Sequence, residues 1–70
     1  MQEQERVLLD YMKIKYHCRR KNWTIARLAC ELGVTRQTVR SWCTKPTLKY
    51  NCWMLEDALE VEHNELLAIV

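Results

Sequence analysis

One short stretch of the chain, residues 36–43, has polar side chains of the kind that form paired hydrogen bonds. The same stretch has apolar residues at helical spacing. If residues 36–43 form a helix, Val39, Trp42 and Cys43 share one side of it. The opposite side then carries the polar residues of the stretch, Arg36, Gln37, Arg40 and Ser41. Arg pairs well with guanine, Gln with adenine and Ser with either, at the base edges that the major groove of DNA exposes. The stretch therefore predicts a surface suited to reading bases.

A second apolar stripe precedes this stretch and can support it. Its residues recur at the spacing of one helix face: Ile25, Leu28, Ala29 and Leu32. Thr24 stands at the N-cap position, and Gly33, the only glycine, follows where a helix end favours a left-handed residue. The pattern predicts helices near 25–32 and 36–43, joined by a tight turn in a motif of about residues 24–43.

This motif resembles the helix-turn-helix of the Cro/repressor family of bacterial and bacteriophage regulators. The residues that carry the resemblance within the motif are Ala29, Gly33, Val34, Val39 and Trp42. It continues through 46–48 and 55–61, which resemble the start and end of the family's fourth helix, and 64–67, which resembles its short fifth helix. The resemblance implies an all-α fold, a small five-helix lambda-repressor-like domain that takes up residues 1–70.

The resemblance also implies a function, that of a sequence-specific regulator of transcription that binds double-stranded DNA and represses by occupying an operator. Base reading falls on Arg36, Gln37, Arg40 and Ser41. Phosphate contacts are expected from Thr24, Arg27, Thr35, Thr44, Lys45 and Lys49. Arg40 could reach either a base or a flanking phosphate. Because such modules usually act as two-fold dimers on palindromic half-sites, we expect a homodimer formed through helices 4 and 5 and the tail.

The distribution of charge fits a polyanionic partner better than the small net charge of +2 does. All eleven Lys and Arg lie between Arg6 and Lys49, and residues 1–50 hold only four acidic residues, so this part carries a net charge of +7. The remaining five acidic residues give the rest a net charge of −5: Glu56, Asp57, Glu60, Glu62 and Glu65. A solvated charged surface is the alternative interpretation, but next to the motif this polarity favours binding to DNA.

The four cysteines do not form a recognisable metal site. Cys18, Cys30, Cys43 and Cys52 include no C-x-x-C pair, so we expect neither metal nor cofactor, and reduced thiols that pack as small apolar groups. The resemblance places Cys18 and Cys43 where many family members have an Arg–Glu ion pair. The resemblance thus implies a contact between the two thiols, with simple packing as the first interpretation and redox sensing as an alternative hypothesis.

The flanking segments are predicted to be helical as well. A long first helix is expected over residues 4–21, ending at Asn22 as a left-handed stop. Its apolar stripe is Val7, Tyr11, Ile14 and Cys18. Its basic end, residues 19–21, suits both the helix dipole and a phosphate contact. With one glycine, one proline and no alternating pattern, the chain gives no indication of a sheet.

After the motif, Thr47 is predicted to cap a fourth helix. Its inner positions would be Leu48, Cys52, Leu55 and Leu59. Trp53 is expected to complete the core, with a dimer contact as the alternative, and Glu56 is expected to be exposed. The apolar tail, residues 66–70, would be core or interface, because its exposure would be costly.

Other function classes are less well supported by the residues. An enzyme is not expected, because neither histidine has an acid or nucleophile at useful spacing and no phosphate-binding glycine loop occurs. A protein–protein adaptor, such as an anti-repressor, could use the same fold. An excisionase or MerR-like accessory protein would need a two-stranded wing after the motif. The polar, acidic first residues and the short apolar runs predict a cytoplasmic protein, associated with the nucleoid when bound to DNA, and no membrane partner or small-molecule ligand.

Overall fold

The computed structural model describes residues 5–68 and consists of four helices and one small sheet. In chain order the elements are β1 (Arg6–Val7), α1 (Tyr11–Arg20), α2 (Ile25–Leu32), α3 (Arg36–Thr44), β2 (Thr47–Leu48) and α4 (Lys49–Leu59). The prediction of a mostly helical fold is confirmed. The prediction of five helices is wrong for the described residues, and all-α is only approximate because β1 and β2 pair in an antiparallel sheet.

The two central helices begin and end where the sequence predicted, within one residue. Thr24 Oγ1 accepts a hydrogen bond from the N–H of Arg27 at 3.1 Å, and Thr35 Oγ1 accepts one from the N–H of Thr38 at 3.1 Å. Gly33 ends α2 with a φ of 75°, in the left-handed region. A side chain at this φ would be strained, so the turn between α2 and α3 depends on the single glycine.

The first helix is shorter than the predicted 4–21. The carboxylate of Asp10 accepts a hydrogen bond from the N–H of Met12 at 2.9 Å, and this cap sets the start of α1 at Tyr11. Before it the chain is extended, because Val7 pairs with Thr47 across the sheet. The predicted stop at Asn22 is confirmed by its φ of 61°.

The start of α4 also differs from the prediction, because Thr47 does not cap it. Thr47 lies in β2, is buried, and accepts a hydrogen bond on Oγ1 from Asn51 Nδ2 at 2.8 Å. Leu48 occupies the N-cap position and has no side-chain oxygen to offer. The strand pairing of Thr47 with Val7 therefore takes the place of the predicted cap.

The segment after α4 consists of turns rather than a fifth helix. Glu60 and Asn64 adopt left-handed φ angles of 58° and 68°, which a helix cannot accommodate. Leu67 then forms a β-bridge with Leu9, and the N–H of Ala68 donates to the carbonyl of Leu8 at 2.9 Å. This C-terminal segment, residues 61–68, is thus anchored to the N-terminal end of the chain.

The core contains residues from every helix and from the chain on either side of them, Leu9 before α1 and Leu66 after α4. Its buried apolar residues are Leu9, Ile14, Cys18, Leu28, Ala29, Val39, Trp42, Cys52, Leu55, Leu59 and Leu66. Trp53 is not among them; half of its surface is exposed, so the expectation that it completes the core is wrong. Leu66 has no exposed surface, so this part of the tail belongs to the core, while residues 69 and 70 lie outside the described range.

Glu56 is buried, contrary to the expected exposure, and organises the turns that follow α4. One carboxylate oxygen accepts hydrogen bonds from the N–H of Asn64 at 2.8 Å and from Cys52 Sγ at 3.3 Å. The other lies 3.0 Å from His63 Nδ1. Burial alone would raise the pKa of Glu56, but these three donors outweigh it and the pKa is lowered.

The C-terminal segment also contacts one side of α1. Lys13 Nζ donates to the carbonyl of Leu67 at 2.9 Å, and His17 Nε2 lies 3.3 Å from a carboxylate oxygen of Glu65. Lys21 pairs with Glu60 at 3.3 Å. Part of the acidic stretch that follows residue 50 is therefore folded against α1 and its C-cap. Among residues 5–68 no helix has the length and apolarity needed to span a membrane.

Candidate nucleic-acid interface

Helix α3 has one buried side and one exposed side, as its sequence predicted. Val39 has no exposed surface and Trp42 only 9%, and both pack in the core. Arg36, Gln37 and Arg40 are exposed. The apolar side fixes the rotation of the helix about its axis, so the direction in which the polar side chains leave the surface is set by packing.

The exposed side of α3 forms a groove with the first residues of α1 and α2. The groove has a volume of about 550 Å³ and is lined by Tyr11, Ile25, Arg36, Gln37, Arg40, Ser41 and Thr44. The structure thus brings all four predicted base-reading residues to one surface. The lining contains two arginines and no acidic residue, so it offers positive charge and hydrogen-bond donors to a ligand.

Some polar side chains of the groove already form hydrogen bonds within the protein, and others do not. Ser41 Oγ donates to the carbonyl of Thr38 at 2.9 Å, and Thr44 Oγ1 donates to the carbonyl of Ser41 at 3.1 Å. These hydroxyls keep their lone pairs and remain acceptors. Within residues 5–68, the side chains of Arg36 and Gln37 form no hydrogen bond or ion pair.

Tyr11 also belongs to this surface, whereas the spacing in the sequence predicted it on the core stripe of a longer helix. Tyr11 is only partly buried and lines the groove. Arg40 Cζ lies 5.7 Å from the centroid of its ring, and Lys15 Nζ lies 5.7 Å from the same centroid. Asp10 was the signal that could have revealed this, because a helix capped there begins with Tyr11.

Two of the predicted phosphate contacts, Thr24 and Thr35, lie at the starts of α2 and α3. Their hydroxyl oxygens accept the capping hydrogen bonds described above. Neither helix has an acidic residue in its first turn, so the positive ends of both helix dipoles stay uncompensated by a side chain. Free backbone N–H groups at such ends favour anions.

Arg27 is already engaged on the surface of α2. Its Nε lies 2.8 Å from a carboxylate oxygen of Glu31, and its Cζ lies 5.1 Å from the centroid of the Trp23 ring. The pair is largely exposed, so the ionic contact is weak and exchangeable. A phosphate would have to compete with Glu31 for this guanidinium.

Lys45 and Lys49 lie beyond the end of α3. Lys45 is exposed at the C-cap of α3. Lys49, at the start of α4, pairs with Glu5 at 2.9 Å, and this hydrogen bond is the main reason that the pKa of Lys49 is raised. Neither lysine lines the groove, and Thr44 is the only predicted phosphate contact that does.

The cysteines are free thiols in the described part of the chain. Cys18 and Cys52 are buried and Cys43 is partly buried. Burial raises the pKa of Cys18, raises that of Cys43 to about 11 with a further contribution from Asp10, and raises that of Cys52 to about 12. Such thiols are poor nucleophiles at neutral pH. Residues 5–68 also contain no cluster of three or more metal-ligating side chains.

Comparisons with protein-family models, with curated proteins and with solved structures find no match to this chain.

Proposed function

We propose that the protein is a sequence-specific regulator of transcription that binds double-stranded DNA, in the manner of the Cro/repressor family that its motif resembles. The observation that carries the proposal is the groove beside α3, where all four predicted base-reading residues meet on a surface without acidic side chains. The protein would be a four-helix variant of that family's domain. It would repress by occupying an operator in the cytoplasm.

In the proposed complex α3 enters the major groove, which is about 12 Å wide and admits a helix. The N-terminal residues of a recognition helix contact base edges most directly. In α3 these are Arg36 and Gln37, whose side-chain donors are unengaged within the described residues. Arg36 is suited to a bidentate contact with guanine and Gln37 to one with adenine. Ser41 already donates its hydroxyl proton to the carbonyl of Thr38, so it would accept a hydrogen bond from a base amino group.

Phosphate contacts on either side of α3 would fix the position of the protein along the DNA. The uncompensated N-terminus of α2, capped by Thr24 and bordered in the groove by Ile25, supports one such contact. Thr35, Thr44 and the exposed Lys45 support others along α3. Arg27 and Lys49 would contribute by exchanging Glu31 and Glu5 for phosphate, so their contribution is expected to be smaller.

We further propose that two copies bind palindromic half-sites spaced by about 34 Å. The absence of a fifth helix in the described residues and the burial of Leu66 narrow the proposed dimer surface to α4. Tyr50 and Trp53 lie one turn apart on that helix and are 62% and 50% exposed. Aromatic residues of this kind are common in protein interfaces. Sedimentation that gives a monomer both with and without operator DNA would contradict the dimer.

Selection of bound duplexes from a random pool tests the proposed function. We expect an enriched half-site repeated with two-fold symmetry, and affinity that falls steeply with salt because phosphate contacts release counterions. Arg36→Ala should remove about 1–3 kcal/mol of discrimination at one base pair. The matched control is Arg19→Ala, an exposed arginine of α1 outside the groove, which should leave the selected sequence unchanged.

An unenriched pool would overturn sequence-specific recognition. Equal losses by Arg36→Ala on the selected site and on random DNA would reduce Arg36 to a phosphate contact. Binding to a protein partner without salt-dependent binding to DNA would favour the adaptor instead.

A further inference from the structure

The contact between Tyr11 and Arg40 joins α1 to the exposed side of α3. Arg40 Cζ lies 5.7 Å from the centroid of the Tyr11 ring, within the distance of about 6 Å at which a guanidinium and an aromatic ring attract. Both residues line the groove. The contact links the first residue of one helix to the middle of the other, so neither helix forms it alone.

The backbone of Tyr11 is held in place through Asp10, the residue before it. Asp10, directly before it, caps α1 and donates its own N–H to the carbonyl of Leu66 at 2.9 Å. The side chain of Leu66 is fully buried. The ring therefore projects from a part of the chain that the core and the C-terminal segment fix, whereas Arg40 is a long side chain on the surface.

A cation–π contact restricts an arginine without using up its hydrogen-bond donors. The ring attracts the guanidinium charge, and within residues 5–68 the Arg40 side chain forms no hydrogen bond, so its N–H donors stay available for a bidentate contact. An unrestrained arginine loses more conformational freedom when it binds than one that is already ordered. Arg40, held over the Tyr11 ring, is thus partly ordered before it binds.

Lys15 shares the same ring and differs in what it can recognise. Its Nζ also lies 5.7 Å from the ring centroid, but it is not one of the residues that line the groove. An ammonium group is a point charge without the planar fork that matches guanine. The two cations are therefore suited to different parts of DNA, Lys15 to a phosphate at the margin and Arg40 to a base.

From this geometry we infer that Tyr11 is a specificity-determining positioning residue, whose ring orients Arg40 toward a base edge while Lys15 contacts the flanking phosphate. The inference rests on the proposed function and deepens it, because the sequence left open whether Arg40 reaches a base or a phosphate. It also assigns the start of α1 a part in base recognition, whereas the sequence indicated only a phosphate contact at the other end of that helix.

The test uses the site selected by the wild-type protein and variants of that site with one base pair changed at a time. Arg40→Ala identifies the base pair at which discrimination depends on Arg40. Tyr11→Leu should lower discrimination at that same base pair by about two- to five-fold, the size expected for an exposed cation–π contact. Tyr11→Phe keeps the aromatic ring and should keep the wild-type discrimination at this base pair. The double variant Tyr11→Leu with Arg40→Ala should lose no more discrimination there than Arg40→Ala alone.

Tyr16→Leu is the matched control. Tyr16 lies on the same helix and has Arg20 Cζ 5.9 Å from its ring centroid, but neither residue lines the groove. This variant should leave discrimination unchanged at every base pair. NMR of the free wild-type protein gives a readout that does not depend on DNA or on the folding of a variant: the side-chain protons of Arg40 should show upfield ring-current shifts.

Several outcomes would overturn the inference. They are unchanged discrimination in Tyr11→Leu, a uniform loss at all base pairs in a folded Tyr11→Leu or in Arg40→Ala, and random-coil shifts for the Arg40 side chain. A selected site together with any of these would leave the proposed function standing. A wild-type protein that selects no site would overturn the proposed function and the inference with it.

Discussion

Different kinds of contact hold the motif, residues 24–43, and its two flanks, residues 5–23 and 44–68. In the motif, the capping hydrogen bonds of Thr24 and Thr35 each span three residues, and Gly33 shapes the turn through its own φ. In the flanks, Val7 pairs with Thr47 and Leu9 with Leu67, so the contacts join distant parts of the chain. The motif is thus specified locally, whereas each flank takes its conformation from a partner elsewhere in the sequence.

The same contrast appears in the polar contacts. Arg36 and Gln37 in the motif have unengaged side chains within the described residues. In the C-terminal flank, by contrast, the buried carboxylate of Glu56 has three polar partners, and Glu65 lies against His17. Polar groups near the groove are left available for a ligand, while those of the flank are used to hold the chain together. The comparison separates a surface for recognition from the structure that supports it.

The largest effect that tests this comparison is expected at Leu66. This side chain is fully buried although it lies in a segment without regular secondary structure. Leu66→Ala should lower the free energy of unfolding by about 3 kcal/mol, as other buried leucines do when truncated. Urea denaturation measures the change. Leu8→Ala, at a leucine that is 37% exposed in the opposite flank, is the control and should cost clearly less.

A change at Leu66 as small as that at Leu8 would mean that the C-terminal segment is not part of the folded core in solution. The comparison would then fail, because the supporting role of this flank depends on its burial.

A smaller effect with a distinctive pH dependence is expected at Glu56. In Glu56→Gln the amide group can no longer accept from all three donors, so the free energy of unfolding should fall by about 2 kcal/mol, the range for hydrogen bonds to a charged group. The pKa of Glu56 is lowered in the folded protein from its ordinary value of 4.5. The carboxylate's contribution is therefore complete above pH 4.5 and disappears as the pH falls through the lowered folded value.

Denaturation of the wild-type protein and of Glu56→Gln at a series of pH values measures this difference. The gap between the two should be constant at neutral pH and should narrow as the pH falls below 4.5. Glu62→Gln, at an exposed carboxylate of the C-terminal segment that follows α4, controls for the loss of one negative charge. A gap that does not depend on pH would show that the charge of Glu56 has no role in the fold.

The comparison also explains which features could be predicted from the sequence. The bounds of α2 and α3 were predictable because caps, stripe and glycine all lie within a few residues of the boundary they set. Thr47 looks like a helix cap by the same local rules, but its pairing with Val7, forty residues away, makes it a strand residue. Local patterns contain no information about such a partner.

The errors at Tyr11 and Glu56 have a related cause. Tyr11 has the spacing of a core residue only if the first helix extends over 4–21, and the strand at Arg6–Val7 prevents that. Glu56 is charged and was expected to be exposed, but the left-handed turns at Glu60 and Asn64 bring backbone and side-chain donors onto it. A turn built from non-glycine residues gives little signal in a sequence.

The smallest predicted effect concerns Glu31, the one acidic residue within the motif. Its carboxylate pairs with Arg27 at 2.8 Å on an exposed surface of α2. In Glu31→Gln this pair is lost, which should cost only about 0.3–0.5 kcal/mol of stability, as for other exposed pairs one helical turn apart. The same change should strengthen binding to DNA about two-fold at low salt, because it removes a negative charge from the motif and releases Arg27 for a phosphate.

Titration with the selected site at several salt concentrations measures this gain. Most of it should be lost when Glu31→Gln is made in an Arg27→Ala background, since the released guanidinium is the main source of the gain. It should also shrink as salt rises, because exposed charges are screened within about 10 Å at 0.1 M. Glu62→Gln removes one negative charge from the C-terminal flank and should give a smaller gain. Equal gains from both variants would show that only net charge matters, and that the acid in the motif is no closer to the bound DNA than those of the flank.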